Sequence, residues 1–332
     1  MRVVVTGATG NVGAMLMRRL SEDPAVDEIE GVARRPARGW ELAKVRWTGL
    51  DVGRDPLGSV FAGADAVVHL AWAIQPSRDR SQTLRTNVEG SARVFDAALR
   101  AGVGSILYAS SVGTYAPGHG RTVDESWPAT GVSSSFYSRD KAAVEAQLDA
   151  LERAHPGVRV VRMRPALIFR PTAGAEIRRL FLGTLIPRSV IRLLPVVPAV
   201  RGLTLQCVAT DDVAAAFQTA LHEPVRGAFN LAAEPVLSMD DVASAFHAKS
   251  IPMPAALLRT VVDLTWRARL QPTPAGWLDM ALAAPTMNSA RAHDELGWKP
   301  EIDAVTALVE LVAGIKDDAT DVTPPLRTDP RT

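Results

Sequence analysis

Short runs of aliphatic and β-branched residues alternate with longer stretches of helical periodicity through the first half of the chain. Val3-Val4-Val5, Glu28 to Ala33, Val45 to Thr48, Ala66 to Leu70, Ser105 to Ala109 and Val158 to Met163 read as strands. Their nearly continuous apolar character predicts strands covered on both faces. Between them, Gly13 to Leu20, Leu84 to Ala101 and Tyr137 to Ala154 repeat apolar residues at helical spacing, with Asn11, Ser81 and Ser138 as cap or first-turn residues. This βαβ alternation, with right-handed crossovers, predicts an α/β fold on a doubly wound parallel sheet.

The pattern loosens after residue 168. Ile186 to Pro198 is rich in proline, Leu203 to Val208 reads as a strand, and Asp211-Asp212 open a helix over Val213 to Leu221. Phe229 to Leu231 reads as a last strand, and Ser238 to Ala248 and Ala255 to Leu270 as further helices. The expected division is a sheet domain over 1–168 and 203–233, with a smaller, mostly helical C-terminal domain over 169–202 and 234–316 that takes the substrate. Asp317 to Thr332, dense in proline, threonine and charge, is expected to be a disordered tail.

Composition narrows the partners. The 332 residues are 47% hydrophobic and 22% charged, ordinary for one large globular unit or two intimate ones. Lys plus Arg (37) nearly cancel Asp plus Glu (36), so no broad positive field is available to gather nucleic acid or an anionic membrane. The single Cys207 excludes an intramolecular disulfide, and a strand starting at Arg2 leaves no room for a signal peptide, which predicts a cytoplasmic protein. Leu180 to Leu205 is the most apolar region, but Pro187, Arg188, Arg192, Pro195, Pro198 and Arg201 interrupt it. No transmembrane helix is expected there, and a lid over an apolar pocket is the plainer reading than a membrane-surface segment.

Directly after the first strand, TGATGNVG sets Gly7, Gly10 and Gly13 at the opening of a helix, with Thr9, Asn11 and Val12 between them. Glycine lets the backbone turn sharply and approach a pyrophosphate, while free helix N–H groups meet the anion. Where an NAD site usually carries an acidic residue at the end of the second strand, this chain has Ala33, Arg34 and Arg35. Two guanidinium groups suit a ribose 2′-phosphate, so NADP(H) is favoured over NAD(H). Asp51 and Val52 after the third strand, and Leu70, Ala71 and Trp72 after the fourth, complete the expected dinucleotide wall at the carboxyl edge of the sheet. His69, inside an apolar strand, reads as a satisfied core histidine, and no histidine cluster has metal-ligand spacing.

YSRDK places Tyr137 and Lys141 one helical turn apart on one face. A nearby ammonium is expected to lower the tyrosine pKa so that the phenol exchanges a proton with an alcohol or carbonyl. Ser111, chosen over Ser110 at the end of the fifth strand, is expected to hydrogen-bond the reacting oxygen. Asn87 is expected either to support a proton path to Lys141 or to pack its helix.

These segments together resemble the extended short-chain dehydrogenases/reductases, the NAD-dependent epimerase/dehydratase family. TGATGNVG, HLAW, TNVEGSARVFDAA, SSVGTY, YSRDK, TDDVAAAF and ELGWKP occur in that order, and the likeness runs to about residue 315. The resemblance implies a Rossmann fold and a catalytic trio on Ser111, Tyr137 and Lys141, with Lys141 bridging tyrosine and ribose. It also implies a homodimer packed through the Leu84 and Tyr137 helices. Nucleotide-sugar members generally carry an asparagine after the sixth strand, whereas this chain has Pro165 and Ala166, and Pro165 is expected against the cofactor. That departure is more like the reductase branches. The expected activity is hydride transfer between a nicotinamide cofactor and the carbonyl or alcohol of a largely apolar small molecule. A nucleotide-sugar epimerase or dehydratase with tightly held NAD, and a non-catalytic dinucleotide sensor, are the alternatives.

Overall fold

Alternate residues of the central strands point into two separate cores. Val3 and Val5 enter one and Val4 the other; Val68 and Val67, Leu107 and Ile106, and Val161 and Val160 divide the same way. A strand covered on both sides has no polar face, which explains the unbroken apolar runs. The computed structural model describes residues 1–37, 39–75, 77–182 and 195–327.

Seven strands form the sheet: β1 (Arg2–Thr6), β2 (Glu28–Ala33), β3 (Val45–Gly49), β4 (Ala66–His69), β5 (Ser105–Ala109), β6 (Arg159–Pro165) and β7 (Gly227–Leu231). Their order is β7-β6-β5-β4-β1-β2-β3, and every pairing is parallel. Helices α1 (Asn11–Glu22) and α4 (Thr210–His222) cover one face; α2 (Gly90–Arg100) and α3 (Phe136–Ala154) cover the other. The chain runs outward from β1 to β3 and then returns to β4 beside β1. The strand order reverses there, which opens a crevice at the carboxyl edge between β1 and β4.

The later chain builds a smaller, mostly helical region from α5 (Met239–Phe246), α6 (Ala255–Arg267), α7 (Gly276–Ala283) and α8 (Ala304–Asp317). Two sequence motifs join it to the sheet. The Asp212 carboxylate accepts the backbone N–H groups of Glu301 (2.9 Å) and Ile302 (3.3 Å), and the Trp298 indole donates to the Asp212 carbonyl at 2.8 Å.

Several expected boundaries shift. The helix expected over Leu84 to Ala101 is broken: Arg80–Leu84 is α-helical, Arg85–Glu89 is a π-turn, and α2 follows. The caps are Gly10, Asp79 and Ser135, and Asn11, Ser81 and Ser138 fall in the first turns, as expected. The strand expected over Leu203 to Val208 splits into Thr204–Leu205 and Cys207–Ala209, because the Gln206 amide turns aside to pair with the Met287 backbone. Of the expected lid, residues 183–194 lie outside the described residues.

The expected tail is also different. Residues 318–327 fold back on the molecule, and Leu326 is fully buried against Ala14 and Ala173. The Asp321 carboxylate takes two hydrogen bonds from Arg18, at 3.0 and 2.6 Å, and pairs with Arg170. Charge and proline suggest disorder only when the charges have no partners, and Asp321 has two.

Candidate active site

Gly7 leaves β1 with φ +74°, and a Cβ there would lie 2.6 Å from both the Ala71 nitrogen and the Leu70 carbonyl carbon. Only glycine allows β1 and β4 to approach this closely. Gly10 then caps α1 with no side chain over its first turn, leaving helix N–H groups to face an anion. A cleft of about 290 Å³ opens above. Gly7, Thr9, Gly10, Arg34, Arg35, Asp51, Val52, Leu70, Ala71 and Trp72 line it, ten of the residues expected to hold the cofactor.

The remaining expected residues stand behind that wall. Asn11, Val12 and Gly13 form the first turn of α1, and a Cβ on Gly13 would meet the Gly7 carbonyl oxygen at 2.3 Å. Pro165 is buried at the end of β6, away from the cleft lining. Asn87 accepts from the Ala73 N–H (2.7 Å) and donates to the Ala73 carbonyl (2.9 Å), so it fixes the loop after β4. Both ends of its amide are engaged in that pairing. Asp51 lines the cleft and also accepts from the Gly53 N–H at 2.9 Å. His69 bonds Thr6 at 2.6 Å and Ser91 at 2.9 Å, and burial, helped by Lys141, lowers its pKa to about 3. It is a neutral core histidine.

Tyr137, at the start of α3, is half-buried beside the cleft. The Trp72 ring meets it edge-on at 5.9 Å, and the Trp277 ring lies against it at 4.6 Å. The Ser111 hydroxyl accepts from the Gly113 N–H at 3.0 Å and is near enough to the Tyr137 phenol to favour its ionised form. Ser110 points elsewhere: its hydroxyl donates to Glu145 at 2.5 Å, and Glu145 is gripped by Arg164 at 2.9 and 3.0 Å. Gly113 admits the tyrosine, since a Cβ there would lie 2.9 Å from its Cε1 and 2.8 Å from the Met280 sulfur.

Lys141 lies one turn along α3 and is buried. Its ammonium donates to the Ala109 carbonyl at 2.6 Å and the Tyr108 hydroxyl at 3.3 Å, 3.6 Å above the centre of the Trp72 ring. Burial lowers its pKa to about 7, against the pull of Glu145 and Asp140. Burial also pushes the Tyr137 phenol up to about 12, with Ser111 opposing. The lysine therefore does not depress the tyrosine as expected. Desolvation outweighs it, because the Lys141 ammonium is turned onto Trp72 and the end of β5.

Five contributors gave little sequence signal. Trp277 and Met280 come from α7, whose GWLDMALA has one charged residue, Asp279, and little helical period to find. Glu176, Arg179 and Pro325 form part of the cleft wall although they lie far along the chain from the glycine turn. The Trp72 indole nitrogen is buried with no hydrogen-bond partner among the described residues. With the glycine cradle and the uncapped helix start, this open donor beside the cleft fits a polar, pyrophosphate-bearing ligand.

A family profile, NAD dependent epimerase/dehydratase family, matches residues 3–232. The chain belongs to that family. It is thereby one of the extended short-chain dehydrogenases/reductases, enzymes built around a nicotinamide dinucleotide, as the ordered motifs imply. An uncharacterized Mycobacterium tuberculosis protein, Rv2047c, is 27% identical over 321 residues, 95% of this chain. The chain spans only 30% of that relative's length. A Synechocystis protein with the provisional name dihydroflavonol 4-reductase is 28% identical over 199 residues, 56% of each chain. Among solved structures, MoeE5 in complex with UDP-glucuronic acid and NAD superposes with a TM-score of 0.71 at 19% identity, covering 96% of this chain and 100% of that one. This last likeness is one of fold. Among the described residues, no helix is long and apolar enough to cross a membrane, and no group of side chains has the makings of a metal site.

Proposed function

We propose that this chain is an oxidoreductase that prefers NADP(H) and acts on the carbonyl or alcohol of a largely apolar small molecule. The observation that carries the reading is the placing of Tyr137, with Ser111 near its phenol, against Trp72 at the end of the glycine-loop cleft. Gly7, Thr9 and Gly10 would hold the pyrophosphate, and Arg34 and Arg35 the ribose phosphate. When bound there, the nicotinamide dinucleotide supplies or takes up the hydride.

The residues of the chain manage the proton. Ser111 and Tyr137 orient the substrate oxygen, and Tyr137, whose raised pKa keeps its proton at neutral pH, donates it as that oxygen gains negative charge. A protonated phenol suits reduction of a carbonyl better than oxidation of an alcohol. Lys141, one turn along α3, would bridge the tyrosine and the ribose once the dinucleotide is bound. Trp72 and Trp277 pack on the Tyr137 ring, Phe181 packs on Trp277 and Met280 lies beside Gly113, an apolar surround that favours an apolar substrate.

A nucleotide-sugar epimerase or dehydratase is the competing reading, and Pro165-Ala166 at the end of β6 weigh against it. The test is to assay the purified protein with NADPH against apolar aldehydes and ketones, and separately with a panel of nucleotide sugars. Carbonyl-dependent NADPH oxidation supports the proposal. Nucleotide-sugar turnover without added cofactor would replace it, and binding with no turnover on either panel would favour a sensor. A homodimer through the α2 and α3 faces belongs to the same proposal; sedimentation at a single-chain mass would remove it.

A further inference from the structure

We propose that Arg179, from the C-terminal half, is a third guanidinium of the cofactor site and reads the phosphate on the adenosine ribose together with Arg34 and Arg35. This rests on the NADP(H) reading above and names a residue that the reading does not contain.

Arg34 and Arg35 leave the tip of β2 exposed on one wall of the cleft. Glu176, Arg179 and Pro325 line the same cleft. Arg179 is anchored there, donating to the Pro325 carbonyl at 2.5 Å and the Arg327 carbonyl at 3.2 Å. That segment is itself tied by Asp321 to Arg18 on α1, the helix that opens at the glycine turn. The guanidinium is therefore positioned by the fold and is not a free surface arm.

Charge gives the cleft its ligand class. Burial lowers the pKa of Arg179, and repulsion from Arg178 and Arg35 lowers it further, whereas Glu176 opposes. Cations gathered in one cleft repel until an anion lies between them. Glu176 is the neighbouring carboxyl; burial raises its pKa to about 7 against the pull of Arg179 and Arg170, so near neutrality it is readily protonated. The wall can then present net positive charge to a dianion. A ribose hydroxyl needs one acceptor, while a phosphomonoester offers several oxygens for forked N–H donors.

The experiment is calorimetric titration of the full chain with 2′,5′-ADP, 5′-AMP, NADPH and NADH. The wild type is expected to prefer the two ligands that carry a 2′-phosphate. Arg179→Ala should weaken those two by about tenfold and the other two by less than about twofold, as loss of a charge-assisted contact predicts. Asp321→Asn loosens the wall but keeps all three guanidiniums, and should weaken all four ligands alike. Glu176→Gln keeps the anchor of Arg179 and should tighten the 2′-phosphate ligands above pH 7, leaving 5′-AMP unchanged; this arm decides the matter if Arg179→Ala does not fold. A wild type without the preference would sink the NADP(H) reading, and this inference with it. A wild-type preference that survives Arg179→Ala, a uniform loss in that variant matching Asp321→Asn, or no tightening in Glu176→Gln would overturn the inference alone.

Discussion

Tyr137 and Lys141 are recognisable from their spacing, but their protonation depends on what lies over them. Two indoles and a buried serine surround the phenol, so it stays protonated where a solvent-facing YxxxK pair would be easier to ionise. Tyr137→Phe is expected to lower kcat by about 10²–10⁴-fold, the usual share of a positioned proton donor, with cofactor affinity unchanged in a binding titration. Lys141 makes a separate, signed prediction. Its folded pKa of about 7 lies below the ordinary 10.5, so between those values the unfolded chain binds more protons than the folded one. Its contribution to stability therefore improves as pH rises from 7 toward 10.5 and is least favourable below 7. Lys141→Met should melt higher than wild type at pH 6 to 7, by roughly 1–2 kcal/mol, with the gap closing toward pH 10 in thermal melts. The sequence identifies both residues; it contains no local sign that Trp72 would lie beneath the ammonium.

The strands were legible because a strand buried on both faces writes an unbroken apolar run, and β2 and β5 occupy the expected Glu28–Ala33 and Ser105–Ala109. The glycine turn was legible because only its residue type suits the crossing of β1 and β4. Gly7→Ala should cost about 1–3 kcal/mol from backbone strain, seen as a lower denaturant midpoint, and should abolish dinucleotide binding. Gly113→Ala acts on the other side of the site. Its new methyl group would press on Tyr137 and Met280, so kcat should fall with cofactor affinity kept, which separates the two glycines kinetically. The π-turn at Arg85–Glu89 was hidden, because one extra residue in a helical turn leaves the apolar spacing nearly intact. Helix α7 was hidden for the opposite reason, having only Asp279 as a polar residue to mark its period.

Long-range pairing is where the sequence is least informative. Ser110, Glu145, Arg164, Tyr115 and Asn230 form one buried polar chain across β5, α3, β6 and β7. Hydrogen bonds from Arg164 hold Glu145 below its ordinary pKa, although burial pulls the other way. Glu145→Ala would leave Arg164 buried with its main partner gone and should cost about 3–5 kcal/mol in chemical unfolding. None of these partners is close in sequence, and the same holds for Asp321 and Arg18, which are 303 positions apart. A ribosome delivers the glycine turn more than three hundred residues before the segment that walls in its far side. Secondary structure can form while the chain is still growing, but firm grip on a dinucleotide has to wait for that late arrival. In refolding, tight binding should thus be the last property to return.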